Sequence, residues 1–347
     1  MKRYLCFVLC IIICVSLCGC KPQKFTDYSF DFFDTVTTIV GYEKDKETFD
    51  KRCEEIKNKL SEYHKLYNIY NVYDGVNNLA LCNQTKNGEH STIKVDTKII
   101  EMLNFAKDMY KQTNGKLNVA FGSVLNIWHQ HREEGINNPE SATLPGIEKL
   151  QEAAKHTNID DVVIDEEKST LFLRDGVMRL DVGGVAKGYA VEQVAQWMEE
   201  EGYNGYILNV GGNVRCVGKR ADGEKWKVGI ESPYTDNVEI PYIEYLSIDN
   251  MSLVTSGSYQ RFYVVKGNSY HHIIDPVTLM PADNFWSVSV LCKDSGLADA
   301  LSTALFTMDY EQGLEIIEST AGAEAMWFTK DGEKLYSSGF KNYCVEE

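Results

Sequence analysis

Residues 180–189 read Leu180-Asp181-Val182-Gly183-Gly184-Val185-Ala186-Lys187-Gly188-Tyr189. The apolar run from Val177 to Val182 predicts a strand. Beyond the glycines, Ala190, Val191, Val194, Ala195 and Met198 recur at helical spacing until Gly202 closes the helix. A strand, a glycine turn and a helix start form a device for holding phosphate. Glycine lets backbone N–H groups approach an anion, and the helix N-terminus adds partial positive charge. Lys187 adds a full charge. The spacing is neither GxGxxG nor GxxxxGK[ST], which excludes the dinucleotide-binding fold and the P-loop. A tight turn that needs glycine for its own geometry explains the same residues.

The flanking sequence fixes the fold class. Phe32 to Gly41 is β-branched and predicts a strand. Helical spacing runs over Thr48–Tyr67 and again over Lys94–Gln112, where Gly115 ends it. Asp161 to Val177 predicts a strand pair, several strands follow between 205 and 292, and a helix runs from Leu297 to Met308. Helices mixed with mostly antiparallel hairpins predict an α+β protein and not a doubly wound sheet. Gly211-Gly212, after the strand Tyr206–Val210, reads as a hairpin turn flanked by Asn209 and Asn213. No Pro/Gly/Ser-rich break or repeat interrupts 27–347, so that stretch reads as one catalytic unit.

The N-terminus differs from the rest. Lys2 and Arg3 precede an apolar run from Tyr4 to Leu17, which reads as an export signal. The run ends in Leu17-Cys18-Gly19-Cys20, which resembles the bacterial lipobox. The expectation is a signal peptide over 1–19, lipidation at Cys20, a tether over 20–26, and an extracytoplasmic domain held at the membrane. An uncleaved anchor helix would place the domain likewise. Of ten cysteines, Cys53, Cys82, Cys216, Cys292 and Cys344 lie beyond the leader, widely spaced and without a CxxC pair. They read as small buried hydrophobes, not as a zinc site or disulfide framework. A net charge of −16 argues against a nucleic-acid partner.

Three further clusters carry chemistry. Asp299 and Thr303 lie four apart and project together from a helix whose apolar face is Leu297, Leu301, Ala304, Leu305 and Met308. A carboxylate and a hydroxyl on adjacent turns suit Mg²⁺, which takes few protein oxygens. Alternatively, Thr303 bonds its own helix and Asp299 pairs with a lysine. His271 and His272 are adjacent on a strand before Ile273-Ile274-Asp275-Pro276, so they face opposite sides and one of them can serve as an acid/base. Thr255-Ser256-Gly257 offers hydroxyls and backbone to a phosphate or ring, or is an ordinary turn.

The joint order of these blocks, with Phe33-Asp34-Thr35 and Leu125-Asn126-Ile127-Trp128, resembles the FAD:protein FMN transferase (ApbE) family over roughly 30–310. The resemblance implies an ApbE-like α+β fold, mostly antiparallel sheets flanked by helices around a central FAD cleft. It implies Mg²⁺ bound by Asp299, Thr303 and the carbonyl near Gly184, with Asp299 and His272 as the catalytic pair. Cofactor contacts would come from Tyr73, Asn118, Asp181, Lys187, Thr255, Ser256, Gly257 and Ile273. The implied acceptor is a threonine or serine in the FMN-binding domain of a membrane redox complex. Three positions depart from the family's pattern: Thr278-Leu279-Met280-Pro281, Asn118 in place of an aspartate, and Trp128-His129 in place of Trp-Gly. An FAD pyrophosphatase and a non-catalytic flavin-binding lipoprotein are the alternatives.

Overall fold

The computed structural model describes residues 21–85, 92–234 and 241–345; the expected leader and Cys20 lie outside the described residues. β1 (Gln23–Phe32) and β2 (Thr35–Glu43) form a hairpin whose turn residues, Phe33 and Asp34, both sit at positive φ, 53° and 52°. That turn matches strand twist but is uncommon without glycine. It corrects two expectations. The strand predicted from Phe32 is cut at residues 33–34, and β1 begins at Gln23, inside the stretch expected to be tether.

α1 (Lys46–Tyr67) starts where Asp45 accepts the Thr48 N–H at 2.8 Å, and it buries Phe49, Cys53, Ile56, Leu60, Tyr63 and Tyr67, as their spacing requires. α2 (Leu79–Gln84), β3 (Ile93–Lys94) and α3 (Thr97–Gln112) follow, α3 capped by Asp96 and ended near Gly115 at φ 82°. α4 (Gly122–Asn137) and α5 (Ile147–Ala154) precede the expected strand pair, β4 (Val162–Asp165) and β5 (Thr170–Leu173). α6 (Ala186–Glu200) emerges from the glycine turn.

The strand predicted over 177–182 does not join a sheet. Val177 belongs to a turn, and one parallel bridge joins Arg179 to Phe121. The segment's N–H groups are satisfied elsewhere: Leu180 donates to the side chain of Asn83 in α2 at 2.8 Å and Asp181 donates to the Val119 carbonyl in a turn at 2.9 Å.

β6 (Tyr206–Val210) and β7 (Asn213–Val217) form the expected hairpin, with Gly211 and Gly212 at φ 55° and 82°. Then come β8 (Trp226–Glu231), β9 (Tyr242–Ile248), β10 (Ser252–Gly257), β11 (Phe262–Val265), β12 (Asn268–His271) and β13 (Phe285–Cys292). α7 (Ser295–Phe306), α8 (Tyr310–Ser319), β14 (Glu324–Thr329) and β15 (Lys334–Tyr336) complete the described chain's main elements.

Eight strands make one sheet in the order β1-β2-β6-β7-β10-β13-β14-β15, with every pairing antiparallel. Alternation along each strand divides its side chains between two layers. Val254 and Val290 join the main core with α1, α6 and α7, whereas Leu253 and Leu291 pack with Trp226, Ile230 and Leu246 of the β8–β9 hairpin. A third cluster joins α4 and α5 to the β11–β12 hairpin through Trp128, Leu150 and Tyr263. The expected α+β class is what forms. Among the described residues no helix is long and apolar enough to cross a membrane. Cys53, Cys82, Cys216, Cys292 and Cys344 are all free, the first four of them buried.

Candidate active site

α6 and α7 pack against each other with the glycine turn at one end of their contact. Gly188 makes the approach possible: a Cβ there would stand 2.3 Å from Asp299 Cβ and 2.4 Å from the Ser295 carbonyl oxygen. The buried Asp299 carboxylate accepts the Gly188 N–H at 2.7 Å and the Lys187 ammonium at 3.2 Å. The first-turn amide of α6 therefore does hold an anion, and in this state the anion is a side chain. Because Gly188 N–H goes to Asp299, it does not reach back to the Gly184 carbonyl, which is left without that helix bond.

Thr303 lies one turn beyond Asp299, and a Cβ on Gly184 would stand 3.4 Å from its Oγ1. Thr303 Oγ1 is 3.4 Å from Ser256 Oγ, which is 2.9 Å from Ser302 Oγ. Asp299 does pair with a lysine, yet that lysine belongs to the glycine turn. Thr303 faces Gly184 and Ser256.

Asp181, at the head of the turn, accepts the Gly183 N–H at 2.9 Å. Burial holds its pKa above the ordinary 3.8, opposed by the Gly183 N–H and by His129 and Arg132 of α4. Arg132 is near enough to act on the charge of His272 as well. Burial, reinforced by Arg261 and Arg132, lowers the His272 pKa to about 3. Its Nδ1 is 3.2 Å from the Arg261 carbonyl, which can only accept, so Nδ1 carries the proton and Nε2 offers a lone pair. His271, on the other side of the strand, is structural. Its Nε2 donates to the Ala282 carbonyl at 2.6 Å, its Nδ1 accepts the Ile273 N–H, and its ring meets Phe306 edge-on.

Tyr73 reaches the same region indirectly. Its hydroxyl is 3.1 Å from His64 Nε2, and His64 Nδ1 accepts the Phe33 N–H at 3.1 Å. Arg261 donates to the Phe33 and Asp34 carbonyls at 3.3 and 3.4 Å. One chain of contacts therefore runs from Tyr73 through the strained turn to the carbonyl that orients His272.

Four of the residues expected at the cofactor are bonded or packed within the protein. Thr255 is on the sheet face opposite Ser256, bonded to Ser289 Oγ at 2.8 Å, because adjacent strand residues alternate. Ile273 is buried with both backbone groups engaged, its N–H by His271 and its carbonyl by Ala282. Asn118 serves its own loop, bonding the Thr157 carbonyl and the Ala120 N–H at 2.9 Å each. Gly257 packs under Tyr259, whose ring a Cβ would meet at 2.6 Å.

Sequence reasoning passed over Arg261, Arg132 and Tyr70. Tyr70 covers His129 at 4.9 Å between ring centroids, and Arg132 donates to His129 Nδ1 at 2.8 Å. A signal for Arg261 was present. Lys266-Gly267 is a two-residue hairpin turn, both residues at positive φ, and its register pairs Phe262 with His271. Arg261 must then lie opposite His272.

Hard oxygen donors at Asp299, Thr303 and the Gly184 carbonyl fit a magnesium ion, and the Asp299 carboxylate keeps lone pairs beyond its two hydrogen bonds. Residues 33–327 match the model of the ApbE family. The chain is 30% identical over 299 residues to the FAD:protein FMN transferase of Vibrio cholerae, a match covering 85% of this chain and 83% of that one. It is 29% identical over 296 residues to the enzyme of that name from Haemophilus influenzae, covering 84% and 81%. The crystal structure of the ApbE protein from Thermotoga maritima superposes with a TM-score of 0.81 at 28% identity, over 93% of this chain and all (100%) of that one. With the family model spanning the glycine turn, the histidine strand and the Asp299 helix alike, the chain belongs to the ApbE family.

Proposed function

We propose that the protein transfers FMN from FAD to a threonine or serine hydroxyl of another protein and releases AMP. The observation that carries this is the packing of Asp299 and Thr303 against the turn 183–188, with Gly188 N–H and Lys187 already on the carboxylate. Asp299, Thr303 and the Gly184 carbonyl would hold Mg²⁺. When bound, that ion neutralises charge on the diphosphate and on the departing AMP.

The acceptor oxygen attacks the FMN-side phosphorus. A P–O bond to the protein forms, the bridging P–O bond breaks, and AMP leaves with the bridging oxygen. The hydroxyl proton passes to His272 Nε2, whose ring is turned by the Arg261 carbonyl. Burial and two neighbouring guanidinium groups set that pKa near 3; a bound diphosphate would offset the guanidinium part of the depression. Lys187 and the first turn of α6 hold phosphate oxygens in line, so catalysis rests on positioning and electrostatics.

The Leu17-Cys18-Gly19-Cys20 motif supports lipidation at Cys20 and an extracytoplasmic, membrane-held enzyme. With β1 starting at Gln23, only Lys21 and Pro22 would separate lipid from fold, keeping the site close to acceptors in membrane redox complexes. Loss of lipid labelling in Cys20→Ala is the expected result; undiminished labelling refutes the anchor.

The test of function is incubation with FAD, Mg²⁺ and an acceptor domain. A fluorescent acceptor band in a denaturing gel is expected, absent with EDTA and in Asp299→Ala. Free FMN without a labelled acceptor would establish hydrolysis instead. A normal rate in EDTA would refute the metal.

A further inference from the structure

α6 and α7 are laced by two reciprocal bonds. Gly188 of α6 donates its N–H to the Asp299 carboxylate of α7 at 2.7 Å, and Ser295 of α7 donates its N–H to the Glu192 carboxylate of α6 at 2.9 Å. Each helix offers an N-terminal amide and, one turn later, a carboxylate, and the antiparallel crossing matches each amide with the other helix's carboxylate. Both carboxylates are almost fully buried, Glu192 at 4% and Asp299 at 5% exposed.

The two halves differ in their cation. Asp299 meets Lys187, a flexible and partly exposed side chain. Glu192 meets Arg215 of β7, which is completely buried: Nε reaches Glu192 Oε2 at 3.1 Å, Nη2 reaches Glu199 at 2.8 Å, and Nη1 reaches Asn250 at 3.1 Å. A planar guanidinium fixed on several sides cannot drift as an ammonium can. Ser295 Oγ adds a 2.6 Å bond to Asn213 Oδ1 of β7. The start of α7 is thereby pinned both to α6 and to the sheet.

We propose that Glu192 and Arg215 are positioning residues for the metal ligands. Through Ser295 they fix the origin of α7, and so the places of Asp299 and Thr303 one and two turns along it, relative to the glycine turn. The inference rests on the Mg²⁺ reading above. Both residues are buried and reach α7 through Ser295.

The test uses the full chain and two variants. Glu192→Gln retains an acceptor for Ser295 and removes the charge facing Arg215. The double variant Glu192→Leu/Arg215→Met removes both charges at similar volume, a replacement that buried ion pairs often tolerate. Mn²⁺ binding is followed by the electron paramagnetic resonance signal of the free ion, alongside FAD affinity in EDTA and thermal melting. The expected result is a cooperative melt, Mn²⁺ binding weakened by about tenfold or more, and FAD affinity within about twofold of the parent.

A folded variant that binds Mn²⁺ like the parent overturns the proposal. So does failure of both variants to melt cooperatively, which would make the pair a folding determinant and nothing finer. A parent chain that binds no Mn²⁺ sinks the metal reading itself; parental binding that survives both changes sinks only the positioning role.

Discussion

Gly188→Ala perturbs the site by a single methyl group. Its Cβ would stand 2.3 Å from Asp299 Cβ and 2.4 Å from the Ser295 carbonyl oxygen, where ordinary contact begins near 3.4 Å. Neither neighbour is the far end of a flexible chain, so α6 and α7 must part by about 1 Å, an overpacking strain of roughly 1–3 kcal/mol. Alanine's better helix propensity returns up to about 1 kcal/mol. Taking that full return from the middle of the strain range leaves a net loss of about 1 kcal/mol, which for a chain of this size lowers Tm by only a few degrees. The same displacement stretches the 2.7 Å Gly188 N–H to Asp299 bond past hydrogen-bonding range. Flavin transfer should then fall by far more than the folded fraction does, about a hundredfold, as expected when metal-ligand support is lost. Transfer to a saturating acceptor is read by in-gel flavin fluorescence, and Tm by circular dichroism. A variant that keeps parental transfer despite a lowered Tm would refute the claim that this crossing sets the carboxylate. An unchanged Tm would refute the close packing itself.

Acidification should expose the burial of His272. Its pKa falls from 6.5 to about 3 on folding, so between those values the unfolded chain binds a proton that the folded chain does not. The stability it contributes is complete above about pH 6.5 and declines as pH drops toward 3. His272→Asn should flatten that decline in urea melts, and superimposable parent and variant profiles would contradict it. Arg261→Ala removes one of the two guanidinium groups that depress the imidazole, so the His272 pKa followed by NMR should rise; an unmoved value would dissociate the two residues. Burial pushes the thiols of Cys53, Cys82, Cys216 and Cys292 up to about 12. A disulfide reagent should therefore label none of these four in the folded chain and all of them in denaturant. Rapid native labelling of any one would refute its burial.

Local pattern determined much of this protein. The 3.6-residue stripe of α1 and its Asp45 cap, the Gly211-Gly212 hairpin, and the Asp299/Thr303 spacing are short-range facts, because capping, turn geometry and side-chain direction depend on a few neighbouring residues. The order of motifs carried the family. Residues 177–182 misled because an apolar extended run has the same pattern whether its N–H groups meet a strand or, as here, Asn83 and Val119. At Thr255 and Ser256 alternation tells that neighbours part, and only the stacking of layers tells which one faces Thr303. Tertiary structure alone decided that the Asp299 carboxylate would close on Gly188 and Lys187, 111 and 112 positions away. It alone brought Arg215 to Glu192 and Arg132 to both Asp181 and His272. Such pairings depend on how two helices cross on a sheet, a geometry set by the summed packing of all three layers and written in no single stretch of the chain.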